Sequence, residues 1–277
     1  MRVVTDHLDQ SLEALLGLLA ASRAYDLEQP RFQGAPTAAP HAPGFVYMLH
    51  RRHEAGSGQA RTSAGGMIIT SEHAGTHIDA FCHQAVNMRL HGDVAINGRV
   101  QTSAGFTELG ADSIPPILGR GVLLDAAAHA GVQQLPDEYS ISAAELQEVA
   151  EAQNTTVGPD DVVLVRTGNG ARWDDPHAYL RGAGIAADAS RWLAGLNVRA
   201  VGADNVAWDV ADVADPQMNM TLPGHAILLV ESGIYILEHL YLEELSRDRV
   251  HEFVFLCLPL KLRGATASPV RPIALAP

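Results

Sequence analysis

The sequence predicts an α/β fold, one domain over residues 1–277 built around a largely buried sheet. Short apolar, β-branched runs alternate with helical segments, the pattern of strands covered by helices. Hydrophobic residues make up 47% of the chain and charged residues 18%, enough for a substantial core. No repeat, low-complexity tract or evident linker divides the 277 residues.

In chain order, Leu8, Leu12, Leu15 and Leu19 recur at three- and four-residue spacing. They predict an amphipathic helix over 1–22, packed on the body or on a partner subunit. Asp6, Asp9 and Glu13 stand where a signal peptide wants basic charge, so this run is not read as a leader. Arg23–Leu27 is a short strand, and the Pro/Gly-rich stretch from Pro30 to Gly44 is irregular. Strands follow at Phe45–Leu49 and Met67–Thr70, with a polar turn or loop between them, and then at Gly121–Asp125. Ser142 and Glu145 form a capping box that starts a helix running to about Ala152. Asp161–Arg166 is a strand, Asp188–Leu196 a helix and Ala200–Asp204 a strand. Ile227–Val230, Ile234–Leu237 and Glu252–Leu258 complete the expected strands.

The net charge of −13 argues against nucleic acid, whose affinity rests on clustered Lys and Arg. The single basic cluster, Arg51-Arg52-His53, is followed at once by Glu54. No run approaches the ~18 apolar residues of a membrane span. Two cysteines, Cys82 and Cys257, make no disulfide framework and suit a reduced, cytoplasmic setting.

The densest chemistry is in Ser71-Glu72-His73-Ala74-Gly75-Thr76-His77-Ile78-Asp79-Ala80-Phe81-Cys82-His83. A lone core histidine is ordinarily just hydrogen-bonded, but here three of the chain's 13 histidines flank an aspartate at ligand spacing. Imidazole with carboxylate suits Zn²⁺, Mn²⁺ or Fe²⁺. In an extended segment His77 and Asp79 share a face, and Gly75 allows the bend that brings His73 beside them. A helix would pair His73 with His77 but carry Asp79 off that face, and Thr76 and Ile78 favour strand. Two imidazoles and one carboxylate leave coordination positions open, as a catalytic site requires. His83 is placed either to ligate a second metal or to move a proton. Cys82 is expected to be buried packing. Gly168-Asn169-Gly170 lacks the third glycine of a nucleotide loop.

His73-x-Gly75-Thr76-His77-x-Asp79-x-x-x-His83 resembles the signature of the cyclase family, which includes bacterial kynurenine formamidase and isatin hydrolase. The likeness extends through Tyr25–Leu27, Val165–Gly168, Val201–Asp204, Leu222–His225, Gly233–Glu238 and Arg263–Arg271. It implies a swivelling β/β/α architecture with a mixed sheet, in a dimer or larger homo-oligomer. It also implies that His73, His77 and Asp79 bind the first metal. His83 is then an acid/base in one-metal members or a ligand in two-metal members, where His225 and Glu238 complete the second site. Phe81 stands where formamidase-like members carry proline, and the interval from His225 to Glu238 is longer than in short formamidases. Both features lean toward the longer, isatin-hydrolase-like branch.

Glu238 ends an apolar strand, where a carboxylate needs a partner. Asp204 also closes a strand and is expected to hydrogen-bond a ligand histidine. Phe45, Tyr47, Phe81 and Trp208 lie near the site segments and are expected to line a flat pocket for an aromatic or cyclic small molecule. The expected function is a hydrolase of a cyclic or aryl amide, with one or two Zn or Mn ions per chain. The alternative is a metal-assisted cyclase or dehydratase.

Overall fold

The structure is a computed structural model that describes residues 12, 13, 16, 17, 19–55, 58, 60–211 and 213–277. Among these, nine strands form one mixed sheet: β1 (Arg23–Asp26), β2 (His77–Asp79), β3 (Ile117–Asp125), β4 (Val162–Arg166), β5 (Ala200–Ala203), β6 (Tyr235–Glu238), β7 (Glu252–Cys257), β8 (Ala267–Pro269) and β9 (Ile273–Ala276). Their spatial order is β1-β9-β7-β3-β4-β5-β6-β2-β8. The central strands β3 to β6 run parallel, and the flanking pairs are antiparallel.

The parallel centre is apolar on both faces, as its β-branched runs require. Along β4, Val162 and Leu164 join one core cluster with Leu123, Leu237 and Phe255. Val163 and Val165 point the other way, into a cluster with Val122, Leu124, Val201 and Ile236. That second cluster is roofed by Leu146 and Val149 of helix α1 (Ala143–Ala152) and Leu193 of helix α2 (Ala187–Gly195). The predicted capping box starts α1: the Ser142 hydroxyl accepts from Glu145 N, and the Glu145 carboxylate accepts from Ser142 N at 2.9 Å.

One expectation needs correction. Ile227–Val230 is not a strand; it lies in a π-helical turn, Ala226–Ser232, that continues a short helical turn at Pro223–His225. Leu228 and Leu229 are buried in that turn as they would be in a strand, so a short apolar run carries no period to separate the two. The helix predicted over 1–22 lies partly outside the described residues. Positions 12, 13, 16, 17 and 19–21 are helical, and Leu12, Leu16 and Leu19 are exposed.

Replacing the helix cap, Ser142→Ala, is expected to lower unfolding stability by about 1 kcal/mol, read as a lower urea midpoint with unchanged slope. An unchanged midpoint would show that the cap contributes nothing.

Candidate metal centre

The histidine-rich segment enters the sheet as β2, and the neighbouring strands assemble the rest of the site around it. His77 lies directly opposite Glu238 of β6, and Asp79 directly opposite Ala267 of β8. Cross-strand partners share a face, so the His77 and Glu238 side chains meet. The bend ahead of β2 depends on Gly75, whose φ is 67° and whose Cβ would stand 2.9 Å from the Arg31 guanidinium. That guanidinium donates to the carbonyls of Ala74 and Thr76, pinning the bend from the other side. The Thr76 hydroxyl donates to the His239 carbonyl at 2.6 Å and accepts from Gln29 N, locking the segment to the end of β6.

The centre is buried, with Asp79 fully shielded and His73, His77, His225 and Glu238 each at most 5% exposed. His73 Nδ1 lies 3.0 Å from Asp79 Oδ1. His77 Nε2 lies 3.4 Å from the same oxygen and 3.3 Å from Glu238 Oε2. His225 Nε2 lies 3.2 Å from Glu238 Oε1 and 3.6 Å from Asp79 Oδ2. His83, half-buried, closes the ring, its imidazole 4.1 Å from that of His73 and 6.0 Å from that of His225.

Each of the three buried imidazoles already has its outer nitrogen engaged. His77 Nδ1 donates to the Gly75 carbonyl at 2.8 Å, and His225 Nδ1 pairs with Asp209 Oδ2 at 2.8 Å. His73 Nε2 meets the Thr266 hydroxyl at 2.8 Å. The inner nitrogens therefore face two carboxylates, and His77 Nε2, both Asp79 oxygens and Glu238 Oε1 have no hydrogen-bond partner. Buried orphans of this kind are costly unless a cation or protons lie between them. Ligand atoms of His73, Asp79 and His83, and again of Asp79, His225 and Glu238, lie within 4.8 Å of one another. Two carboxylates and a ring of imidazoles suit Zn²⁺ or Mn²⁺, and the outer hydrogen bonds orient the donors as metal sites require.

The electrostatics agree. Burial resists charge on His77, but Asp79 and Glu238 outweigh it and raise its pKa to about 10. Burial likewise opposes protonation of His225, and Asp209, Asp79 and Glu238 together raise it well above the usual value. Burial and Asp79 work against the Glu238 charge, yet His225 and His77 lower its pKa to about 2. His83 behaves oppositely: burial, opposed by Asp79 and reinforced by His73 and His225, pulls it down to about 3. At neutral pH its ring is unprotonated and can accept a proton.

The predicted site residues divide. His73, His77, Asp79, His83, His225 and Glu238 converge. Asp204 does not join them: its carboxylate accepts from Thr167 N, the Thr167 hydroxyl, Gly168 N and Gly170 N, holding the turn after β4. The carboxylate that holds a site histidine is Asp209, five positions later, which also accepts from Gly224 N at 2.6 Å. Gly224 is needed there, since a Cβ would stand 2.7 Å from Asp209 Oδ1. Trp208 is fully buried core, its indole donating to Ser190 of α2 at 2.9 Å, and it anchors the loop that delivers Asp209. Tyr47, 48% exposed, lies across Gly66 in a two-stranded ribbon (45–51 with 65–70) whose base holds Phe45 opposite Thr70. Phe81 stacks on Tyr235 at 4.2 Å. Among the described residues no ring contact joins any of these four to another.

Two further histidines escaped sequence reasoning. His41, from the Pro-rich stretch, stacks on His73 with ring centres 4.4 Å apart. His239 hydrogen-bonds the Tyr179 hydroxyl at 3.1 Å and lies 5.6 Å from the His77 ring. His41 is brought near only by the folded chain, whereas His239 directly follows the predicted Glu238. A surface cleft of about 930 Å³, lined by Asp26, Glu28, Arg31 and Trp173 among others, contains none of the converging residues.

The family model described as "Putative cyclase" matches residues 22–210. Kynurenine formamidase of Bordetella avium is 30% identical over 210 residues, covering 74% of this chain and 78% of that protein. A crystal structure described as a novel cyclase superposes with a TM-score of 0.83 at 28% identity, covering 95% of this chain and 90% of that one. Isatin hydrolase A from Ralstonia solanacearum shares the fold, with a TM-score of 0.74 at 24% identity, over 96% of this chain and 97% of that one.

Because His77 holds a proton up to about pH 10 without metal, cation uptake at pH 7 must displace it. Calorimetric titration with Zn²⁺ in buffers of different ionisation enthalpy is expected to show release of about one proton or more per chain, with affinity falling as pH falls. Buffer-independent heats would contradict this account.

Proposed function

Since the chain belongs to the cyclase family, we propose that it is a metal-dependent hydrolase cleaving the C–N bond of a cyclic or aryl amide. The observation that carries this reading is the set of inward donor atoms without partners beside an unprotonated imidazole, His83. The names of two relatives, a kynurenine formamidase and an isatin hydrolase, support the substrate class. In this proposal His73, His77 and Asp79 hold one Zn²⁺ or Mn²⁺, and His225 with Glu238 completes a second position where two are bound. A cation there supplies Lewis acidity to the substrate carbonyl and makes water more acidic.

The chain's own groups do the rest. His83 accepts the proton of the attacking water and returns it to the leaving nitrogen, so that water adds across the C–N bond. Asp209 and Gly75 keep His225 and His77 aimed inward. His41 roofs His73 and limits solvent on that side. The proposal includes a single domain with the family's swivelling β/β/α architecture. The description of one structural relative as a cyclase favours a second reading, metal-assisted cyclisation or dehydration. Product mass separates the two, since hydrolysis adds one water and cyclisation does not.

The proposal extends to assembly and setting. Tyr47, Met48, Leu49, Met67, Ile68 and Ile69 leave both strands of the ribbon apolar and 42–61% exposed. A contiguous exposed apolar surface of this kind supports a homo-oligomer, a dimer or tetramer, with the ribbon against a second copy. The two free cysteines, Cys82 and Cys257, are buried, consistent with a reduced cytoplasm. No described helix is long and apolar enough to cross a membrane.

With an N-formyl arylamine or an isatin-type lactam, the product is expected to gain one water. His83→Ala should lower kcat by about 10²–10⁴-fold while metal content stays that of the wild type. Full turnover in that variant would remove His83 from proton transfer, and lost metal would make it a ligand. Light scattering should show an oligomer that Met67→Glu/Ile69→Glu converts to monomer; a monomeric wild-type protein would exclude the assembly.

A further inference from the structure

We infer that Glu72 and Thr266 are positioning residues that fix the tautomer of His73 and aim its Nδ1 into the metal centre. The inference rests on the reading of that centre as a cation site. Thr266 precedes β8, and its carbonyl accepts from Ala80 N at 2.9 Å, which places it beside the end of β2. Glu72 Oε1 accepts twice from this one residue, from Thr266 N at 2.9 Å and from the Thr266 hydroxyl at 2.5 Å. Two oxygens so close need a proton between them, and a carboxylate has none to give. The hydroxyl's only proton is therefore committed to Glu72.

What remains on Thr266 Oγ1 is acceptor capacity. His73 Nε2, 2.8 Å away, must be the donor of that contact. The proton on Nε2 leaves the Nδ1 lone pair facing Asp79 Oδ1 at 3.0 Å, a contact repulsive with nothing between and favourable around a cation. The three buried histidines thus reach the same inward orientation by different means. His77 uses a neutral carbonyl, His225 a carboxylate in direct contact, and His73 a carboxylate acting through a hydroxyl. Glu72 is adjacent to His73 in the chain, but the bond connecting them runs through a residue nearly two hundred positions away.

The test compares Thr266→Val, Thr266→Ser and Glu72→Gln with the wild-type chain. Zn²⁺ affinity is measured by chelator competition, the His73 tautomer by long-range ¹H–¹⁵N correlation in the metal-free protein, where no cation dictates it, and folding by circular dichroism. Thr266→Val keeps the shape and the backbone bond to Glu72 but leaves the Nε2 proton without its acceptor. It should weaken Zn²⁺ binding by about 10–100-fold and lose the single Nε2–H tautomer. Thr266→Ser restores the hydroxyl and should match the wild type. Glu72→Gln keeps an acceptor oxygen without the charge and should fall between.

Wild-type affinity in Thr266→Val, equal losses in the Val and Ser variants of comparable fold, or a wild-type His73 protonated at Nδ1 would each overturn the inference. A wild-type chain that binds no Zn²⁺ or Mn²⁺ would instead overturn the metal reading on which it stands.

Discussion

The constraint that organises this molecule is a pair of buried carboxylates, Asp79 and Glu238, facing the inner nitrogens of histidines whose outer nitrogens are already committed. Burying one uncompensated carboxylate costs several kcal/mol, and two side by side cost more. Without a cation the protein can meet that cost only by protonating imidazoles, which is what raises His77 and His225. In the proposed reading the site exchanges protons for metal at one point, and its neighbours keep that point from relaxing.

The sheet performs this holding. β2 is only three residues long, yet it is paired on both sides, by β6 through His77 and Ile78 and by β8 through all three residues. Ile78, fully buried in the core beneath the centre, fixes which face of β2 carries His77 and Asp79. A slip of one residue would turn both of these side chains into that core. Farther out, Arg31 grips the bend around Gly75, and the π-helical turn after His225 closes on Gly233, with φ 67°, to hand the chain to β6 and Glu238. Elements at this end of the sheet are short and irregular because they serve the site. The parallel centre, β3 to β6, is regular because it serves the core.

Much of this was legible in the sequence where the cause is local. Alternation put His77 and Asp79 on one face, β-branched runs marked β3, β4 and β5, and the Ser142–Glu145 spacing marked the start of α1. Legibility ended where distant segments decide. Asp204 and Asp209 are both buried carboxylates after β5, and spacing cannot tell which one meets His225. Trp208 looked like a pocket residue because it is aromatic and near the site in sequence, whereas its indole is spent in the core on Ser190. His41 and Thr266 reach the centre from other parts of the chain and carry no signature of their own, and His239 directly follows Glu238 without any pattern marking it. The turn at 226–232 was misread because its buried apolar run fits strand and helix alike.

The most direct measurement is an anomalous difference map from crystals of the Zn²⁺-loaded protein, collected above and below the zinc absorption edge. The account predicts a peak bounded by His73 Nδ1, His77 Nε2 and Asp79, with His225 and Glu238 on its far side. Side chains that diverge from that point, or an absent peak at saturating Zn²⁺ and again at saturating Mn²⁺ across its own edge, would contradict it.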